Sequence, residues 1–235
     1  MATGALDFPL ALPATAAQAL ANHGFVVLPG PYGPREWAQV PAAYDAACLR
    51  ADAADVHIGR TSTRIDDFVN RDPVFDAVYS WPPALDAARR IIGGEFRLSA
   101  FHSRTLHLGA AAQEMHVDIS RTSDAWPMLG LIIMVDDFRS DNGATRFLPG
   151  SHRWVDAKLP QTEPAVACGP VGSAILFDAS TWHGHGANSS SSSRRSLQAT
   201  FIPRAGRPAT DFVGRMDPAT LARLGPASRY LVGAQ

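Results

Sequence analysis

Hydrophobic positions change their rhythm partway along the chain. Up to residue 94 they recur mostly at helical spacing; from Glu95 to Arg204 they fall into short runs separated by turn residues. In the first part, a short helix capped by Thr15 runs to Leu20 and is closed by Gly24. Phe25 to Leu28 reads as a short buried strand, ended by Pro29-Gly30. Pro34 suits a first helical turn, and Arg35 to Arg50 follows with helical spacing, with Pro41 placed to kink or split it. Asp72-Pro73 opens another helix, and Pro83 to Ile92 forms a further one stopped by Gly93-Gly94.

The second part predicts strands at Phe96 to Leu108, Glu114 to Asp118, Gly172 to Phe177, Thr181 to Gly186 and Arg195 to Ile202. Leu129 to Val135 is continuously apolar, as expected of a strand buried on both faces. Asp141-Asn142-Gly143 and Pro149-Gly150 are turn signals. Asp217-Pro218 starts a last helix through Leu224 within a tail covering 205–235. The sum is a mainly β fold, a small antiparallel barrel or sandwich with flanking helices. There is no internal repeat, and the serine run from Ser189 to Ser193 reads as a flexible loop.

A length of 235 residues suits one well-buried domain over 1–235, with a mostly helical part at 1–94 and a β core at 95–204. The net charge of −1 argues against a nucleic-acid partner, which needs a basic face. The longest apolar run, Met128 to Val135, is too short to cross a bilayer. The first lysine or arginine is Arg35, so the start lacks the charged region of a signal peptide, and a cytoplasmic protein is expected. Lys158 is the only lysine; with abundant alanine, glycine and proline this reflects coding bias more than function. Cys48 and Cys168 form no disulfide framework and read as packing thiols.

The chemistry starts at His116-Val117-Asp118. On a strand, residues i and i+2 share a face, so an imidazole and a carboxylate stand side by side. That pair is two-thirds of the facial triad that holds non-haem Fe(II) with open positions. His183, far downstream on another predicted strand, completes it. Two neutral imidazoles and one carboxylate leave Fe(II) with a net charge of +1 and room for a bidentate 2-oxo acid and O2. Arg194 and Ser196 share a face by the same rule and can anchor a distal carboxylate, while Arg195 points the other way, toward solvent.

With these residues the chain resembles the phytanoyl-CoA dioxygenase family of Fe(II)/2-oxoglutarate oxygenases. The resemblance rests on His116-Val117-Asp118, on His183-Gly184-His185-Gly186-Ala187-Asn188, and on Arg194, eleven positions after His183. It extends to Asn142-Gly143 leading to Phe147-Leu148-Pro149-Gly150-Ser151-His152, and to His23-Gly24-Phe25-Val26-Val27-Leu28. The resemblance implies a double-stranded β-helix (jelly-roll, cupin-like) core. It implies an iron-dependent oxidoreductase that decarboxylates 2-oxoglutarate to succinate and CO2 and usually hydroxylates its substrate. Asp118 sets the chain apart from halogenating relatives, which have a small residue there. His185 stands where relatives often carry a hydroxyl, and is a cosubstrate contact by that correspondence. A lysine that some relatives carry upstream is absent, with Arg60, Arg64 or Arg104 as substitutes. The serine run leaves open whether Arg194 or Arg195 is the anchor.

Arg104 and Thr105 fall on opposite faces of one strand, so at most one faces the pocket; Arg104 is the preferred one, as a cosubstrate contact. Trp126 is a candidate pocket lid, and Arg60, Arg64 and Arg121 are candidates for a polar or acidic substrate. His107 belongs to a site or to a strand end. His152 fixes its turn, and Phe147, Leu148 and Trp182 belong to the core. The short chain favours a small metabolite, with secondary metabolism or catabolism as the setting. Two other classes share these residues: a catalytically silent binding module, and a zinc hydrolase with Glu114 as base.

Overall fold

The structure, a computed structural model, describes residues 11–120, 127–154 and 163–234. Its strands are β1 (Phe25–Pro29), β2 (Val56–Ile58), β3 (Ser62–Ile65), β4 (Phe96–Leu106), β5 (Leu129–Met134), β6 (Thr145–Phe147), β7 (Ala165–Val166), β8 (Ser173–Asp178), β9 (His183–His185) and β10 (Arg194–Pro203). The helices are α1 (Ala14–His23), α2 (Pro34–Trp37), α3 (Val40–Leu49), α4 (Asp76–Tyr79), α5 (Pro82–Ile92), α6 (Pro218–Arg223) and α7 (Pro226–Val232). Seven strands form an antiparallel sheet in the order β1-β8-β5-β10-β4-β3-β2, and β7-β6-β9 form a smaller one. A bridge between His116 and His183 extends the small sheet. From β4 through His116, β5, β6, β7, β8 and β9 to β10, the chain supplies four strands to the large sheet and three strands plus the His116 bridge to the small one, which is the jelly-roll arrangement.

Alternation within β5 shows how the sheets and helices share the core. Leu129, Leu131 and Ile133 join a cluster with Tyr44, Phe68, Phe75, Tyr79 and the α5 alanines on the helical side. Ile132 and Met134 join Phe147, Ile175 and Phe177 between the sheets. All six β5 residues are buried, as a strand covered on both faces requires. α5 presents Ala84, Leu85, Ala87 and Ala88 to the core. Its buried Asp86 accepts from the N–H groups of Ala11 (3.1 Å) and Leu12 (3.0 Å) and from Arg90 Nε (3.0 Å).

One glycine ties the helical layer to the site. Gly24 closes α1 at φ 82°, its N–H donating to Leu20 O. A Cβ there would lie 2.4 Å from Thr181 Oγ1 and 2.5 Å from His152 Nδ1. The missing side chain therefore lets the turn before β9 seat against α1.

Several local expectations change. Thr15 lies inside α1, whose N-cap is Pro13 with no side-chain cap bond. Pro41 lies in the first turn of α3, and the helical stretch is split into α2 and α3. The segment from Arg60 to Arg64, where no strand is predicted, contributes to β3. Glu114 to Asp118 is not a strand: His116 alone pairs, and the chain bends at Asp118. A second C-terminal helix, α7, starts at Pro226 after Gly225. Phe147 and Leu148 are buried while Trp182 is only half-buried, and Cys168 is exposed rather than packed.

Candidate active site

His183 opens β9 and pairs with His116 across the edge of the small sheet. Each backbone N–H donates to the other's carbonyl, at 2.8 and 2.9 Å. The two rings lie 4.5 Å apart between centroids. Beyond the bend, Asp118 donates its N–H to Ala179 O (3.0 Å). Its carboxylate then lies 3.7 Å from His116 Nε2 and 3.6 Å from His183 Nε2. One donor atom from each of the three residues lies within 4.8 Å of the other two.

The backbone sets which ring nitrogens face this centre. His116 Nδ1 lies 3.1 Å from Glu114 O, and His183 Nδ1 lies 2.9 Å from Thr181 O. A carbonyl only accepts, so each Nδ1 carries the proton and each Nε2 lone pair is left toward Asp118. His183 is packed by Phe177 and Phe147, with ring centroids at 4.9 and 5.7 Å. That burial lowers the His183 pKa, which keeps the imidazole in the neutral, ligating form. Two imidazole nitrogens and one carboxylate oxygen suit Fe(II) with open positions, so the donor set fits the expected metal.

The centre opens into a cavity of about 490 Å³ whose walls include Arg104, His102, Gln113, Thr145, His185 and Arg194. Arg194 comes inward from the first position of β10 and is 3% exposed. Its guanidinium stacks 3.9 Å from the Phe138 ring centroid, and its Nε and Nη1 have no hydrogen-bond partner. Burial pulls its pKa down to about 10. A buried guanidinium with free donors in a cavity is a ready receptor for an anion.

Arg195 points outward but not to free solvent. It donates to Asp136 through Nη2 (2.8 Å) and Nε (3.1 Å), and to Asp45 through Nη1 (2.8 Å). Ser196 lies on the inner face with Arg194, yet its hydroxyl donates to Arg104 O (3.2 Å) instead of reaching into the cavity. His185 lines the cavity; its Nδ1 donates to Gly186 O (2.8 Å), and its Nε2 lies 3.3 Å from Thr61 Oγ1. Arg104 faces the cavity, whereas Thr105 hydrogen-bonds Tyr44 on the opposite face (2.8 Å). His107 reaches Thr63 instead (2.9 Å), and His152 Nε2 donates to Ala21 O (3.2 Å). Glu114 is exposed and gives the site its carbonyl, not its carboxylate. Trp126 and Arg121 lie outside the described residues.

Sequence reasoning missed His102, Gln198, Thr145 and Gln113. The first two were within reach of the i, i+2 rule: His102 shares the face of Arg104, and Gln198 that of Ser196. They are paired across β4 and β10, with Nε2 to Oε1 at 3.2 Å. Thr145 lies opposite His185 in a three-residue strand too short to carry a periodic signal.

The model of one family, described as Phytanoyl-CoA dioxygenase (PhyH), matches residues 20–196. The chain is similar to dioxygenase cdmA of Talaromyces verruculosus, 40% identical over 111 residues, which cover 42% of this chain and 38% of that protein. It is 30% identical over 217 residues to dioxygenase trt7 of Aspergillus terreus, covering 83% of this chain and 75% of that protein. In fold it is similar to HygX of Streptomyces hygroscopicus, solved with nickel, 2-oxoglutarate and hygromycin B bound. That match has a TM-score of 0.67 at 15% identity, over 84% of this chain and 90% of the other. Among the described residues no helix is long and apolar enough to cross a membrane.

Proposed function

The chain belongs to the phytanoyl-CoA dioxygenase family of Fe(II)/2-oxoglutarate-dependent oxygenases, and from that premise we propose that it oxidises a small-molecule metabolite, with His116, Asp118 and His183 holding the iron. Arg194 receives the distal carboxylate of 2-oxoglutarate, and His185 and Thr145 border it. The whole chain works as one oxygenase domain, because the larger of its apolar clusters takes residues from Leu12 to Val232. The observation that carries this reading is the opening of the three-residue centre into the same cavity as the unpaired Arg194 guanidinium.

When loaded, the iron supplies an oxidant able to take hydrogen from an unactivated carbon, at the expense of O2 and of 2-oxoglutarate, which leaves as succinate and CO2. The chain's own residues prepare that chemistry. Glu114 O and Thr181 O hold the two rings in the ligating tautomer. Phe177 and Phe147 shield His183 from water. A cavity of about 490 Å³ admits the cosubstrate and a compact substrate. A silent binding module has no need of a buried, unpaired Arg194. The hydrolase reading names Glu114 as base, and that residue is not among those lining the cavity and meets His116 through its carbonyl.

Anaerobic addition of Fe(II) and 2-oxoglutarate tests the reading. The expected result is a weak visible metal-to-ligand charge-transfer band, followed in air by succinate that depends on both additions. Absence of both the band and succinate would remove the assignment.

A further inference from the structure

We propose that the substrate carries an anionic group, a carboxylate or a phosphate, and that Arg104 receives it. The inference rests on the iron and 2-oxoglutarate reading and names the substrate class for that same site. Its first support is the pairing of β3 with β4, which sets Arg64 directly opposite Arg104. Like charges facing one another across strands destabilise a sheet, so the pair needs compensation. Arg64 has it: its Nε and Nη2 each lie 3.0 Å from the Asp66 carboxylate, which also takes His57 Nε2 at 2.9 Å. Arg104 does not. Among the described residues it has no hydrogen bond or ion pair for its guanidinium, and its Nε is buried without a partner.

The second support is a count of charges. 2-Oxoglutarate brings two carboxylates, one beside the 2-oxo group to chelate iron and one for Arg194. With the +1 metal centre and Arg194 these charges cancel. Arg104 is then a surplus cation on the cavity wall, and burial already depresses its pKa. An anion on the substrate removes the imbalance, and a guanidinium binds a carboxylate or phosphate through two parallel bonds.

The third support is position. A second hollow, lined by His57, Ile58, Gly59 and Ser62, meets the main cavity at Arg64 and Arg104. Further along the sheet the wall turns to His102 with Gln198, then Ala100 with Thr200. The anion thus sits where the two hollows join, and the body of the substrate has room on either side of it.

Two titrations test this. In the first, 2-oxoglutarate is added anaerobically to Fe(II)-loaded wild type, Arg104→Gln and Arg194→Gln, followed by the charge-transfer band. Arg104→Gln is expected to keep the wild-type affinity within about twofold, and Arg194→Gln to lose at least tenfold. In the second, metal-free Arg194→Gln protein is titrated with inorganic phosphate and with benzoate in a calorimeter. Binding of one or both is expected there, and it should weaken at least tenfold in Arg104→Gln/Arg194→Gln. Arg104→Lys in the same background keeps the charge and should retain part of the binding, which separates lost charge from a damaged fold. If Arg104→Gln lowers 2-oxoglutarate affinity as much as Arg194→Gln, Arg104 serves the cosubstrate and the proposal is wrong. Anion binding that is absent, or unchanged by Arg104→Gln, also overturns it. A wild type without the charge-transfer band defeats the underlying oxygenase reading instead, and the metal-free titration still decides the anion site.

Discussion

Gly130 and Phe177 are paired across β5 and β8, and a Cβ on Gly130 would stand 2.1 Å from Phe177 Cζ. The aromatic ring occupies the place of the missing side chain and reaches His183, with centroids 4.9 Å apart. Gly130→Ala must push a ring that is 4% exposed, packed on His183 and bordering the cavity. Overpacking of this kind costs about 1–3 kcal/mol. Urea denaturation should show that loss, and Fe(II) affinity should fall with it because His183 moves. Gly130→Ala/Phe177→Leu should recover much of the stability; a double variant no better than the single one would mean that Phe177 is not what the methyl meets.

The bridge between His116 and His183 uses backbone groups alone, so it survives truncation of either ring. His116→Ala should therefore abolish iron- and 2-oxoglutarate-dependent succinate formation, by about 100-fold or more. Its melting temperature should stay within about 4 °C of wild type, the shift expected from roughly 1 kcal/mol. Unfolding together with inactivation would show that the ring itself supports the strand edge. Retained turnover would exclude His116 as a ligand.

How much of this was legible in sequence follows from the range of each signal. Arg194 and Ser196 obey a two-residue rule on one strand, the His116-Val117-Asp118 spacing marks two residues of the centre although only His116 pairs, and the jelly-roll strands carry apolar runs that announce themselves. β2 and β3 do not: Ser62-Thr63-Arg64 is polar on both faces because its inner face borders a charged cavity, and no strand is predicted there. The predicted strand from Glu114 to Asp118 has only one paired residue, since Asp118 must leave the sheet to face both imidazoles. Arg195 reads as solvent-facing because its partners, Asp136 and Asp45, lie far away in the chain. Only the fold brings them within reach.

Arg194 and Arg195 should respond oppositely to substitution. Arg194→Met removes a buried cation with unpaired donors, so stability should hold or rise by about 1 kcal/mol while 2-oxoglutarate affinity collapses. Arg195→Ala breaks the bonds to Asp136 and Asp45, of which Asp45 is largely exposed and adds little. It should lose about 1–2 kcal/mol, mostly through Asp136, and leave 2-oxoglutarate affinity near wild type. Thermal melts and charge-transfer titrations of the two variants check both halves, and an exchange of the two outcomes would make Arg195 the anchor.

His102 gives the protein an acid-sensitive element away from the proposed metal ligands. Burial pushes its pKa from 6.5 down to about 3, with Arg104 and Arg64 adding to the shift. Its Nε2 donates to Gln198 Oε1, which the neutral ring satisfies. Between those two values the unfolded chain binds a proton that the folded one refuses, so stability rises with pH across the window and falls on acidification. The slope from one such group is about 1.4 kcal/mol per pH unit, or roughly 2 kcal/mol between pH 6.5 and pH 5. His183 and His185 are shifted in the same direction and steepen the loss. His102→Gln removes one of the three contributions. Urea denaturation at a series of pH values from 7 to 4.5 should therefore show a shallower decline in the variant, by close to one proton. Parallel curves for variant and wild type would mean that His102 titrates as freely in the folded protein as in the unfolded chain.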